Sequence, residues 1–222
     1  MQNEEKKGKV WLAGAGPGDS GLLTIKAKQV LKEADVVVYD HLVGKDILAM
    51  IRPDQKGIDV GKISGHHPIP QQEINRILAE EAGQGKKVVR LKGGDPFLFG
   101  RGGEELCELK KEGIPFEVIP GATSALAVPA YAGIPVTHRD YVSSVHIVTG
   151  HKKKNGELEC DYQALVQTGG TLVFLMGVSA LPDIVKGLMD AGMDPEMPSA
   201  VLQEGTLSSQ KVVTAPLAEL EK

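Results

Sequence analysis

The chain has 222 residues, enough for one large domain or two modest ones. With 41% hydrophobic and 24% charged residues and a mean hydropathy of −0.10, it excludes disordered, collagen-like and coiled-coil classes, and no run of about 18 apolar residues offers a membrane span. A net charge of −4 and only nine aromatic residues argue against a nucleic-acid surface, although local charge still decides whether an anionic ligand binds.

In chain order, Lys9 to Gly14 reads as a strand. Leu23, Ala27, Val30, Leu31 and Ala34 then recur at helical spacing. Asp35 to Tyr39 is a buried-strand pattern. Ile74, Ile77 and Leu78 mark a helix from Gln71 to Ala82. Lys87 to Leu91 predicts a strand, Gly103 to Lys111 a helix and Phe116 to Ile119 a short strand ending at Pro120-Gly121. The second half predicts a small-residue helix over Thr123 to Ala132, a strand over Val145 to Thr149 and a helix over Tyr162 to Gln167. A strand over Thr171 to Leu175, a helix stopped by Gly192, and strands at Ala200 to Leu202 and Lys211 to Thr214 complete the reading. Strands alternating with helices imply βα units, with sheets covered on both faces. The Pro120-Gly121 breaker predicts two α/β domains, residues 8–119 and 120–222.

The two cysteines, Cys107 and Cys160, are too few for a disulfide framework. The N-terminus is polar and carries no apolar signal core, so the expected compartment is the cytoplasm. The histidines show no metal-ligand spacing, so no metal is expected. The basic run Lys152-Lys153-Lys154 reads as a solvated loop.

Three segments carry more than fold. Gly14-Ala15-Gly16-Pro17-Gly18-Asp19 follows a strand and precedes a helix, the setting of a nucleotide-binding turn. Asp19 stands where a dinucleotide site has its third glycine, and Pro17 removes an amide that a pyrophosphate would use. A nicotinamide or flavin cofactor is therefore disfavoured, whereas a ligand with adenosine but no phosphate would tolerate this loop. The alternative is a plain strand-to-helix turn capped by Asp19 or Ser20. The segment Leu91 to Glu105 packs five glycines into eleven positions, with Asp95, Phe97, Phe99 and Arg101 among them. That is excessive for a turn and suits a backbone-lined cavity; without Gly-Lys-Ser/Thr it is no P-loop. Pro120 to Arg139 is a run of small residues suited to close packing against another backbone or a planar ligand. Asp40, at the end of a strand, is a candidate general base or a turn-initiating Asp, and Lys62 a candidate acid or a surface lysine. There is no Gly-x-Ser-x-Gly elbow to support a covalent hydrolase.

Taken in order, Gly14 to Asp19, Tyr39-Asp40-His41-Leu42-Val43, Val60-Gly61-Lys62, Leu91 to Glu105, Pro120 to Arg139 and Phe174-Leu175-Met176-Gly177 resemble the tetrapyrrole methylase family. The resemblance covers about Gly8 to Leu217 and is fullest to members that methylate uroporphyrinogen III at carbon. It implies a homodimeric α/β enzyme of two domains with the site in the cleft between them. Such an enzyme takes S-adenosylmethionine, releases S-adenosylhomocysteine, and adds two methyl groups to uroporphyrinogen III. The product is precorrin-2, the precursor of sirohaem and cobalamin. Carried over residue by residue, cofactor contacts fall on Pro17, Gly93, Gly94, Asp95, Leu98, Thr123, Ser124, Met176 and Gly205. The proton acceptor falls on Asp40 and the proton donor on Lys62. Because the substrate carries eight carboxylates, Arg101, Arg139, His138 and His66 are the expected anchors, with Lys62 and His67 beside them. Ser20-Gly21, Ile63 and Gln203-Glu204 depart from the family pattern. The alternatives are a methylase of another corrin-pathway tetrapyrrole, of a protein side chain or of RNA, and a non-catalytic ligand-binding α/β protein.

Overall fold

A computed structural model describes residues 7–61, 69–151 and 160–221. Lys62, His66, His67 and the run Lys152 to Lys154 lie outside the described residues. The chain forms two compact units, Met1–Ser124 and Ala125–Lys222.

The first unit is a parallel five-stranded sheet. Its strands are β1 (Lys9–Gly14), β2 (Val36–Tyr39), β3 (Lys56–Asp59), β4 (Lys87–Lys92) and β5 (Phe116–Ile119), in the order β3-β2-β4-β1-β5. In register, Val10 faces Val88 and Phe116, and Val38 faces Arg90. Alternation sends successive residues to opposite faces, and both faces are buried. Trp11, Ala13, Val37, Val89 and Leu91 pack with α1 (Ile25–Glu33) and α2 (Lys45–Leu48). Val10, Leu12, Val36, Val38 and Val88 pack with α3 (Gln71–Gly83) and α4 (Gly102–Lys111).

Each helix shows why it forms. Thr24 caps α1 by accepting the Ala27 amide, and Ala27, Val30 and Leu31 make its buried stripe. Ile74, Leu78 and Ala82 do the same for α3. In α4, Glu104 and Glu105 sit in the first turn and Lys110 and Lys111 in the last, matching the helix dipole. Periodicity does not reveal β3 or α2. Each is four residues long, and β3 is an edge strand that shows little apolar alternation.

In the second unit, β6 (Val145–Thr149) and β7 (Thr171–Leu175) pair in parallel, while β8 (Pro198–Gln203) and β9 (Lys211–Pro216) pair antiparallel. The last two strands are thus a hairpin and not a βα unit, because no helix intervenes. The turn between them is held where the Thr206 amide donates to Gln210 Oε1 at 2.7 Å. The helices are α5 (Ser124–Tyr131), α6 (Tyr162–Gln167) and α7 (Leu181–Asp190). Pro129 lies inside α5 and donates no amide, and the helix ends two residues later. The α7 stripe of Ile184, Val185 and Leu188 makes a small core with Ala180 and Leu217. The helix stops at Gly192 (φ 92°), whose amide donates to the Met189 carbonyl. Among the described residues, no helix is long and apolar enough to cross a membrane.

Candidate active site

The flagged residues of the first unit gather beyond the carboxyl ends of β1, β2, β4 and β5, where open α/β sheets bind ligands. Two glycine loops are stitched together there. The Ala15 amide donates to the Lys92 carbonyl at 2.7 Å, the Gly94 amide to the Gly16 carbonyl at 2.7 Å, and the Gly16 amide back to the Gly94 carbonyl at 3.2 Å. A Cβ on Gly14 would stand 2.5 Å from Gly121 Cα and 2.6 Å from the Gly94 carbonyl oxygen, so three backbone segments meet where no side chain fits. Gly94 itself has φ 66°, and a Cβ there would meet nothing within 4 Å. The loop therefore presents bare backbone to open space.

Asp95 shapes this loop from within. Its Oδ1 accepts the Phe97 amide at 2.8 Å and its Oδ2 the Gly121 amide at 3.0 Å. Pro17, Leu98, Thr123 and Ser124 are partly buried in the same unit. Asp19 does cap a turn, accepting the Gly21 amide at the head of a short 3-10 helix, Ser20–Leu22.

Asp40 follows β2. Its reading as a turn-initiating residue is met. Oδ1 accepts the Leu42 amide at 3.1 Å, as a turn-initiating Asp does. Oδ2 accepts from Arg90 Nη2 at 3.2 Å, and the side chain stays one-fifth exposed. The Leu42 turn reaches the glycine loop, since a Cβ on Gly93 would stand 2.5 Å from Leu42 Cβ.

Behind Asp40 lies a buried charge cluster that sequence reasoning missed. Arg90 Nε donates to Glu105 Oε1 at 3.2 Å, and Lys92 Nζ to the same oxygen at 3.0 Å. Burial pushes the Lys92 ammonium below the ordinary lysine value; neighbouring Arg90 adds to this and Glu105 opposes it. The signal was present in Lys87-Val-Val-Arg-Leu-Lys92, where two cations alternate into the buried face of a central strand.

The remaining expected anchors are exposed. Arg101, at φ 56°, forms a bidentate pair with Glu104 at 2.7 and 2.8 Å. In the second unit, His138 and Arg139 project from a turn closed by the His138 and Val142 backbones, with the Asp140 amide donating to His138 Nδ1 at 3.2 Å. Met176 follows β7 at φ 59° and is half exposed. Gly205 follows β8, and a Cβ there would overlap the Val128 side chain. All five left-handed non-glycine residues among the described residues (Phe99, Arg101, Met176, Glu204 and Thr206) lie in the loop after β4 or directly after β7 and β8. Such backbone strain concentrates at ligand sites. Among the described residues, no group of three or more metal-ligating side chains gathers.

A profile of the tetrapyrrole (corrin/porphyrin) methylases matches residues 9–221. The chain is 53% identical over 215 residues to the porphyrin biosynthesis protein HemD of Ruminiclostridium josui, covering 97% of this chain and 43% of that protein. It is 53% identical over 217 residues to siroheme synthase 2 of Klebsiella pneumoniae, covering 98% and 47%. The chain thus spans less than half the length of these curated relatives. Among solved structures, uroporphyrin-III C-methyl transferase from Thermus thermophilus complexed with S-adenyl homocysteine is 41% identical, with a TM-score of 0.82 over 96% of this chain and 86% of that one. A cobalt precorrin-4 methyltransferase is 29% identical, with a TM-score of 0.84 over 96% and 87%. Strand order, glycine loops and these likenesses agree: the chain belongs to the tetrapyrrole (corrin/porphyrin) methylase family.

Proposed function

We propose that this chain is an S-adenosylmethionine-dependent C-methyltransferase that adds two methyl groups to uroporphyrinogen III, giving precorrin-2 for sirohaem or cobalamin synthesis. The observation that carries this reading is the 41% identity, across 96% of the chain, to a uroporphyrin-III C-methyl transferase holding S-adenyl homocysteine. The 29% identity to a precorrin-4 methylase makes another corrin-pathway tetrapyrrole the second reading.

The residues present fit a sulfonium cofactor. Gly94 offers uncrowded backbone, and the nearby cations Arg90 and Lys92 are both committed to carboxylates, so neither competes with a positive sulfur. Pro17, Gly93, Gly94, Asp95, Leu98, Thr123, Ser124, Met176 and Gly205 are the residues assigned to hold it. When bound, this group supplies an already activated methyl. The protein's part is orientation, which is worth roughly 7–11 kcal/mol of barrier in well-aligned reactions. Asp40 takes the proton that the methylated ring system must shed, a contribution of about 10²–10⁴-fold. Lys62 returns a proton. Arg101, Arg139, His138 and His66 hold carboxylates of the substrate. Residues 8–119 and 120–222 serve as the two domains of a cytoplasmic homodimer.

The test combines the protein, labelled S-adenosylmethionine and anaerobically generated uroporphyrinogen III, with mass analysis of the tetrapyrrole. A gain of two methyl groups is expected. Tight cofactor binding without transfer to this substrate would overturn the substrate assignment.

A further inference from the structure

We propose that Glu105 is a positioning residue for proton acceptance, acting on Asp40 through Arg90; this rests on the reading of Asp40 as the proton acceptor. The argument begins with β4, the central strand of its sheet. Alternation puts Arg90 and Lys92 on the same face as Val88, among Val10, Leu12, Val36, Val38, Leu78 and Leu109. Two cations in an apolar layer need a reason, because ions are costly to bury and hydrophobic residues of similar volume often stabilise as well or better.

The geometry points outward, to one place. Glu105 is fully buried, Arg90 and Lys92 nearly so, and Asp40 is the only one of these four charged residues with appreciable exposure. Arg90 is held on three sides. Nε donates to Glu105 at 3.2 Å, Nη1 to the Leu91 carbonyl at 3.0 Å and Nη2 to Asp40 at 3.2 Å. A guanidinium is planar, so anchoring Nε and Nη1 fixes where Nη2 aims. Glu105 is itself oriented through Oε1, which also accepts from Lys92 at 3.0 Å and from Gln71 Nε2 at 3.2 Å. Its Oε2 is buried with no hydrogen-bond partner among the described residues. A carboxylate kept for stability alone would be expected to satisfy both oxygens. Here stability has yielded to the direction of one oxygen.

The experiment is a double-mutant cycle on kcat with Asp40→Asn, Glu105→Gln and the pair, recording KM for uroporphyrinogen III and the dissociation constant of S-adenosylmethionine throughout. Glu105→Gln is expected to lower kcat roughly 10- to 100-fold, as small misplacements of reacting groups do. KM and cofactor affinity should stay within about twofold of wild type, since the defect is one of alignment. In the Asp40→Asn background, Glu105→Gln should cost nothing more. Multiplying losses would make Glu105 merely structural and overturn the proposal, as would an unchanged kcat in Glu105→Gln beside a damaged Asp40→Asn. If Asp40→Asn alone keeps wild-type turnover, the proton-acceptor reading fails and this inference falls with it. Should Glu105→Gln not fold, Arg90→Lys takes its place in the same cycle: lysine keeps the charge but cannot hold both carboxylates in one plane.

Discussion

Asp95 accepts the Gly121 amide at 3.0 Å, tying the loop after β4 to the loop after β5. Side chain and backbone act together there. Gly94, Gly14 and Gly121 approach so closely that a Cβ on Gly121 would overlap the Gly94 carbonyl oxygen and lie 2.7 Å from Gly14 Cα. Gly14 and Gly121 are packing requirements.

This separates two substitutions that look alike in sequence. Gly121→Ala pushes a methyl into rigid backbone and should destabilise the protein by about 3 kcal/mol or more, as overpacking at an unyielding site does. Gly94→Ala meets open space and bears only left-handed strain, about 1–2 kcal/mol. Gly94→Ala should therefore fold but bind S-adenosylmethionine about tenfold more weakly, since its methyl enters the space proposed for the cofactor. Denaturant melts and calorimetric titration of both variants check this.

Asp40→Asn should fold, because the amide oxygen can still accept from Arg90 or from the Leu42 amide. Loss of the proposed base should lower kcat by about 10²–10⁴-fold while cofactor affinity stays near wild type. Single-turnover methylation with a parallel binding titration measures both.

Arg101 and Arg139 are proposed as anchors for the substrate and not for the cofactor. The Arg101–Glu104 pair is more than half exposed on both sides, so it is worth at most about 1 kcal/mol and yields readily to a substrate carboxylate. Arg101→Ala and Arg139→Ala should each raise KM for uroporphyrinogen III roughly tenfold, in line with the loss of one charge-assisted contact, and leave KM for S-adenosylmethionine unchanged. The reverse pattern removes them as anchors.

Glu117 carries a pH-dependent part of stability. Lys26 and Lys9 both pair with it, and the Trp11 indole N–H donates to Oε2 at 3.2 Å. These partners hold its carboxyl at about 2 against an ordinary 4.5, the Lys26 hydrogen bond contributing most. The folded value lies below the unfolded one, so the stabilisation is present above pH 4.5 and is lost as pH falls toward 2. Because the cluster is at the surface, its worth is about 1 kcal/mol or less. Glu117→Gln should lose that amount at pH 7 and approach wild type near pH 2. Urea melts followed by fluorescence of Trp11, the single tryptophan, report it.

Much of the architecture was legible along the chain. Val10 to Ala13 and Val36 to Val38 are short apolar runs rich in β-branched and aromatic residues, and the stripes of α1, α3 and α7 carry the helical period. The short edge strand β3 and the turn of helix α2 were not legible, since each is four residues long and half of its residues are charged. Within the candidate site, the glycine loops and Asp40 stood out by composition and by position after a strand.

The pattern of apolar spacing and glycine punctuation specified the elements and marked the loops, because both depend on residues close together in sequence. Partnership did not. That Arg90 lies between Asp40 and Glu105, fifty residues before it and fifteen after, follows from which face of β4 receives α4. That Asp95 closes onto Gly121 follows from β1 lying between β4 and β5. Charge and hydrogen-bond pairing across such separations is settled by how the sheet is ordered and covered, a property of the packed chain that local periodicity does not encode.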